Sequence, residues 1–194
     1  MKLVLCEGGD DLEVVQCLCQ ARELAQFKIE SFGGKDNLGN VLEALPKRPE
    51  FSRGEVDGLA IILDADASSA AAWQKIQDAV QKNFGVSLSH PGVFAGQAPR
   101  IAGFIVSGPN GEGMLEDLCL HSVSNRPGYQ CLTEYFRCLA EKTEKKEYHS
   151  KGKFRAWMAS QSDYELHVGK AASKGYLPWE SRAFDPLAAF LASV

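Results

Sequence analysis

Residues 58–66, GLAIILDAD, restrict the fold more than any other part of the chain. Leu59, Ala60, Ile61, Ile62 and Leu63 follow one another without polar alternation, the pattern of a strand covered on both faces in a parallel sheet packed between helices. Asp64 and Asp66 come at its carboxyl end. Ligands of open α/β sheets bind outside that end of the strands, which makes both aspartates candidate site residues. Two carboxylates about 4 Å apart repel by roughly 4 kcal/mol at an effective dielectric of about 20. Such a pair needs a cation, a shared proton or abundant water, and its hard oxygens suit Mg²⁺ or Mn²⁺. A plainer role is open to the same residues, with one aspartate capping the next helix and the other solvated.

The segments before this strand repeat its logic. The short apolar run 2–6 leads into Glu7-Gly8-Gly9-Asp10-Asp11, after which Val14, Val15, Leu18, Ala21 and Ala25 recur at helical spacing. Glu7 therefore stands at a strand's carboxyl end, and Asp10 or Asp11 is placed to cap a helix. Neither GxGxxG nor GxxxxGK[ST] is present. Residues 26–32 predict a second strand, broken by Gly33-Gly34-Lys35-Asp36 before a helix through Leu38, Val41, Leu42 and Leu45 that Pro46 and Pro49 stop. Gly33, Gly34 and Lys35 are candidates for phosphate binding through backbone amides and a counter-charge, although glycine-rich turns of this kind are common. After Asp66, Ser68 and Ser69 can cap an alanine-rich helix through Trp73, Ile76 and Val80.

Three successive strand-turn-helix units predict a doubly wound, Rossmann-like α/β fold, with a mostly parallel sheet flanked by helices. Right-handed crossovers bring the carboxyl ends to one edge, where Glu7 and Asp64 face each other if their strands are neighbours. Residues 101–106 predict a fourth strand, followed by the loop SGPNGEG and a helix start carrying Glu116 and Asp117. These acids reach the same edge if that strand is parallel, and acids in a first helical turn are also favoured by the helix dipole alone.

The last third changes character. Residues 129–140 predict an amphipathic helix with Leu132, Tyr135, Phe136 and Leu139 inward, continued through Glu147 by mixed charges that include a Glu141/Lys145 pair. His149, Lys151, Lys153 and Arg155 form a basic strip beside Phe154 and Trp157. Lys151 and Lys153 are candidate nucleic-acid contacts, because cations beside aromatics can track a phosphate backbone. Residues 160–172 predict a further helix, and 184–191 a short apolar helix docked on the core. The composition shift suggests an α/β core over 1–126 and a helical C-terminal extension over 127–194 packed on it.

Composition narrows the class. With 194 residues and 45% hydrophobic content, the chain can bury a full core. No apolar run approaches the roughly 20 residues of a membrane helix, and the first residues read as a strand rather than a signal peptide. Six cysteines without a CxxC pair read as small core residues in a reduced cytoplasm. A net charge of −4 argues against a globally basic nucleic-acid binder, while leaving a local basic strip open.

The ordered phrases LVLCEGGDD, GGKDNL, IILDAD, GMLEDLCL and AASKGY resemble the Toprim-like superfamily, and within it the small stand-alone DUF3226 family. The resemblance implies a Toprim-type α/β sheet, with Glu7 as general acid or base or as a metal ligand, and Asp64 and Asp66 as holders of Mg²⁺ (or Mn²⁺). Where topoisomerases and primases extend the motif to DxDxD, this chain has Ser68; Glu116 or Asp117 would then supply the further acid. Topoisomerase or primase activity needs parts for which these 194 residues leave no room. The implied activity is that of a Mg²⁺-dependent nuclease or phosphodiesterase acting on DNA or RNA. The alternatives are a non-catalytic nucleic-acid or protein binding module of the recombination-mediator type and an enzyme acting on small phosphate esters or nucleotides. A homo-oligomer is compatible with any of them.

Overall fold

Four strands form where the sequence predicts them: β1 (Lys2–Cys6), β2 (Lys28–Ser31), β3 (Gly58–Asp64) and β4 (Arg100–Val106). The structure is a computed structural model, and it describes residues 1–194 except 109, 145–146 and 164–166. The helices are α1 (Gly9–Ala21), α2 (Leu38–Ala44), α3 (Pro49–Ser52), α4 (Ser69–Phe84), α5 (Leu115–Ser122), α6 (Pro127–Lys142), α7 (Ser150–Ala159), α8 (Val168–Ser173) and α9 (Asp185–Ser193). Together they make a Rossmann-like α/β fold.

The sheet has the order β2-β1-β3-β4, and all its pairings are parallel. Val4 lies opposite Ala60, and Asp64 opposite Val106. The chain runs outward from β1 to β2 and then returns across β1 to β3. A right-handed crossover in each direction must use opposite faces of the sheet. Accordingly Val4, Cys6, Ala60, Ile62 and Ala102 share a core with α1, α5, α7, α8 and α9. Leu3, Leu5, Leu59, Ile61, Leu63 and Ile101 pack against α2 and α4 on the other face. The reversal leaves a crevice between the carboxyl ends of β1 and β3, the topological switch point where α/β sheets bind ligands.

Local features hold the two layers close. Ser68 is the N-cap of α4, its hydroxyl accepting the Ala71 N–H at 3.2 Å. A Cβ at Gly103 of β4 would lie 2.8 Å from Trp73 Cζ3 and 2.9 Å from Ile76 Cγ2, so α4 approaches the sheet as it does only because that residue has no side chain. On the opposite face Phe190 of α9 stacks on Phe104 of β4, with ring centroids 5.1 Å apart, and on Phe94 at 5.8 Å.

The structure corrects the reading of the last third at several points. Helix α6 ends at Lys142 and does not run on to Glu147. Lys145 of the expected Glu141/Lys145 pair lies outside the described residues, and Glu141 instead meets Arg137 at 3.6 Å. Tyr135, expected inward, is 54% exposed. Cys131 and Cys138 are exposed on α6, whereas Cys6, Cys19 and Cys119 are buried as expected. Seven residues bring Cys131 and Cys138 to one helical face, about 110° around the helix from Leu132. Of the helix expected over 160–172, residues 164–166 lie outside the described residues, and among those described the helix is Val168–Ser173. Helix α7 stops at Ala159 and the Ser160 hydroxyl donates to the Trp157 carbonyl at 2.6 Å, the local competition by which serine ends helices. Among the described residues no helix is long and apolar enough to cross a membrane.

Candidate functional site

Because β1 and β3 are neighbours, the acids that follow them converge. Glu7 leaves β1 into the turn that starts α1, and its Oε2 is buried with no hydrogen-bond partner among the described residues. The Gly8 N–H donates to Asp11 Oδ2 at 2.9 Å, which folds Asp11 back from the first turn of α1 toward the strand end. Asp64 Oδ1 accepts the Leu115 N–H at 3.0 Å, so the start of α5 holds it in place. Glu116, one residue into that helix, is only 8% exposed.

The electrostatics express this crowding. Burial, reinforced by Asp11, Glu7, Glu116 and Asp66, pushes the Asp64 carboxyl from its ordinary 3.8 up to about 8. Burial also raises Asp11 to about 6, with Glu7 and Glu116 adding to the shift against the opposing bond from Gly8. Glu116 is raised as well, chiefly by burial, although Lys151 Nζ at 3.9 Å pulls the other way. Near neutral pH the edge therefore holds protons that ordinary carboxyl groups would have released.

Asp66 is positioned differently. It adopts a left-handed backbone, φ 49°, a region that aspartate tolerates better than most residues. It exchanges two backbone hydrogen bonds with Gly113, each of 2.7 Å. Its carboxylate is paired with Lys35. The GGKD turn is thus tied to the acid edge, and its amides are engaged: the Gly33 N–H donates to Ser31 Oγ at 3.1 Å and the Gly34 N–H to the Glu7 carbonyl at 2.9 Å. As folded, Gly33 and Gly34 buttress Glu7, and Lys35 alone of that trio presents charge to the site.

Asp117 has both carboxylate oxygens engaged. Oδ2 accepts the Met114 N–H at 2.9 Å, capping α5, and Oδ1 accepts the Ser150 hydroxyl at the start of α7. Of the two acids expected from this segment, Glu116 is the one whose charge is felt by both Asp11 and Asp64. The basic strip is split by helix geometry, since two residues along α7 turn through about 200°. Lys151 goes to Glu116, while Lys153 lines a separate groove against α6. Asp11, read from the sequence only as a cap, belongs to the acid cluster. The signal for it was an acid in the first helical turn directly after a strand end.

The donor set is one of hard carboxylate oxygens, with one buried oxygen of Glu7 lacking a partner among the described residues, and it fits a divalent cation in its chemistry. Among the described residues, however, no three His, Cys, Asp or Glu side chains stand close enough together to hold an ion as they are. Binding a cation here requires side-chain adjustment and displacement of the protons on Asp64 and Asp11.

Gly113 tests the loop that sets this arrangement. Its φ is +108°, and a Cβ there would lie 2.8 Å from Asp117 Cγ. Gly113→Ala is expected to lower stability by about 2 kcal/mol through backbone strain and displacement of Asp117. Gly111→Ala, also at positive φ but with open space around it, should cost about half as much. Paired urea denaturation curves check this; equal costs would show that contact with Asp117 is unimportant.

Fold and site define a Rossmann-like α/β protein with a carboxylate cluster at the switch point of its sheet. A family described as "Protein of unknown function (DUF3226)" matches residues 1–194, and the chain belongs to that family. No curated protein and no solved structure matches the chain.

Proposed function

We propose that the chain is a Toprim-type, Mg²⁺- or Mn²⁺-dependent hydrolase of phosphodiester bonds in nucleic acid. The observation that carries this reading is the convergence of Glu7, Asp11, Asp64 and Glu116 at the switch point, where burial and the neighbouring acids push Asp64 up to about 8. The order of the motifs, Glu7 after the first strand and Asp64-Ala65-Asp66 after a later one, supports the Toprim assignment.

In this reading Asp64, Asp66 and Glu116 would hold the cation. When bound, the cation neutralises charge on the phosphate and lowers the pKa of water. The Leu115 N–H keeps Asp64 oriented. Glu7, whose Oε2 has no competing partner among the described residues, accepts a proton from the attacking water. The water oxygen bonds to phosphorus, the bond from phosphorus to the leaving oxygen breaks, and solvent protonates that oxygen. Lys35 exchanges its pairing with Asp66 for the substrate phosphate.

Nicking of supercoiled plasmid and degradation of single strands, each with Mg²⁺, Mn²⁺ or EDTA, test the proposal. The expected result is activity that EDTA abolishes and that Glu7→Gln lowers by about 100-fold or more. Hydrolysis that persists in EDTA, or at full rate in Glu7→Gln, would overturn it. A non-catalytic binding module is the second reading, favoured by the internal pairing of Asp66 with Lys35 and of Glu116 with Lys151. It is distinguished by salt-dependent nucleic-acid binding without hydrolysis, indifferent to Glu7 and Asp64.

A further inference from the structure

A groove of about 480 Å³ runs between α6 and α7, remote from the sheet edge in sequence but adjoining it in space. Its wall presents Tyr129, Leu132, Phe136 and Tyr148, with Arg137 and Lys153 among them. Phe136 and Tyr148 pack with ring centroids 5.0 Å apart and planes inclined by 54°. A second cavity, of about 700 Å³, is lined by Asp66 and Asp117 at the acid edge. Glu147 and Tyr148 line both, so a shared wall joins the acid edge to the aromatic groove.

We propose that the groove between α6 and α7 is a binding site for the unpaired nucleobases of a single strand. The proposal rests on the phosphodiesterase reading for the chemistry of the neighbouring edge, but the groove's own composition specifies the ligand. Aromatic faces stack on any base, and cations between them meet the phosphates that a strand carries along with its bases. Two cations against one acid, Glu147, give the groove a positive balance within a chain of net charge −4. Arg137 pairs with the exposed Glu141 at 3.6 Å, a type of pair that yields readily to a stronger anion. Its volume lies in the range of sites that enclose a small organic group. A double helix keeps its bases stacked inside and offers such a cleft only phosphates. The basic strip seen in the sequence thus contributes through Lys153, on the side of α7 turned away from Lys151.

Fluorescence anisotropy in EDTA, with a labelled 20-residue oligothymidylate, a duplex of equal length and an abasic strand of equal length, tests the site. The full chain is expected to bind the single strand about tenfold more tightly than either the duplex or the abasic strand. Tyr129→Leu and Phe136→Leu, which keep apolar volume but remove the stacking face, should each reduce single-strand affinity about fivefold. Lys153→Gln should weaken the thymidylate and abasic strands alike. Circular dichroism of each variant establishes that it is folded. Equal affinity for thymidylate and abasic strands overturns the proposal, as does unchanged binding by both leucine variants, the outcome expected if the groove holds an apolar protein segment. Plasmid hydrolysis without single-strand preference would leave the phosphodiesterase reading standing and remove this one. Base-dependent binding without hydrolysis would do the reverse.

Discussion

Asp64→Asn is expected to abolish divalent-dependent hydrolysis while making the cation-free protein more stable at pH 8. In the proposed mechanism, loss of the Asp64 carboxylate removes several kcal/mol of charge stabilisation, about 10³-fold in rate. The stability effect has the opposite sign. The Asp64 carboxyl titrates at about 8 in the folded protein against an ordinary 3.8. Between those values the folded state keeps a proton that the unfolded chain has lost, so stability falls as pH rises through the window and this contribution is gone above pH 8. Asparagine carries no charge to repel Glu7 or Asp11, and its carbonyl can still accept the Leu115 N–H. The gain at pH 8 is on the order of 3 to 5 kcal/mol, with little difference expected below pH 4. Asp11, raised to about 6, should leave a smaller decline between 3.8 and 6 in the variant. Urea denaturation in EDTA across this pH range, repeated with Mg²⁺, measures both parts. Added Mg²⁺ should stabilise the wild type and not the variant. A variant no more stable than wild type at pH 8 would mean that Asp64 is not electrostatically strained, and one that still hydrolyses DNA at the wild-type rate would remove Asp64 from the mechanism.

Phe190→Ala should produce the largest purely structural loss, about 4 kcal/mol. The ring is 4% exposed and lies against both Phe104 and Phe94. Truncation removes the buried area of an aromatic side chain and leaves a cavity that β4, fixed in the sheet, cannot close. The change lies away from Glu7 and Asp64, so the Mg²⁺-dependent rise in stability should survive in the variant. Denaturant midpoints with and without Mg²⁺ measure both quantities. A cost below about 1 kcal/mol would mean that α9 is held chiefly by other contacts, such as those of Leu187 and Leu191.

Much of the fold was legible because it is written in local periodicity. The unbroken aliphatic run before Asp64 identified a strand with two covered faces, and the abrupt change to helical spacing after Glu7 placed that acid at a strand end. Ser68 read correctly as a cap because capping depends on a hydroxyl and the next few amides. Side-chain direction in the last third was harder to read. Tyr135 and Phe136 are adjacent and equally aromatic, and only the packing of α6 decides that Phe136 turns inward. Lys151 and Lys153 looked like one strip because helix α7 was not recognised beneath them.

What the sequence determined by itself was the set of parts: four strands, the helices that follow them, and Glu7 and Asp64 each placed at a strand's carboxyl end. The tertiary structure decided which parts meet. The neighbour relation of β1 and β3 arises from pairing across more than 50 residues, chosen because that order covers both faces of the sheet, and it carries no local signature. From that relation follow the meeting of Glu7 with Asp64, the entry of Asp11 and Glu116 into the same crevice, and the engagement of Asp117 in holding α5 to α7. Charges separated along the chain do not interact until burial and proximity lower the screening between them, which is why the strained carboxylates appear only in the folded protein.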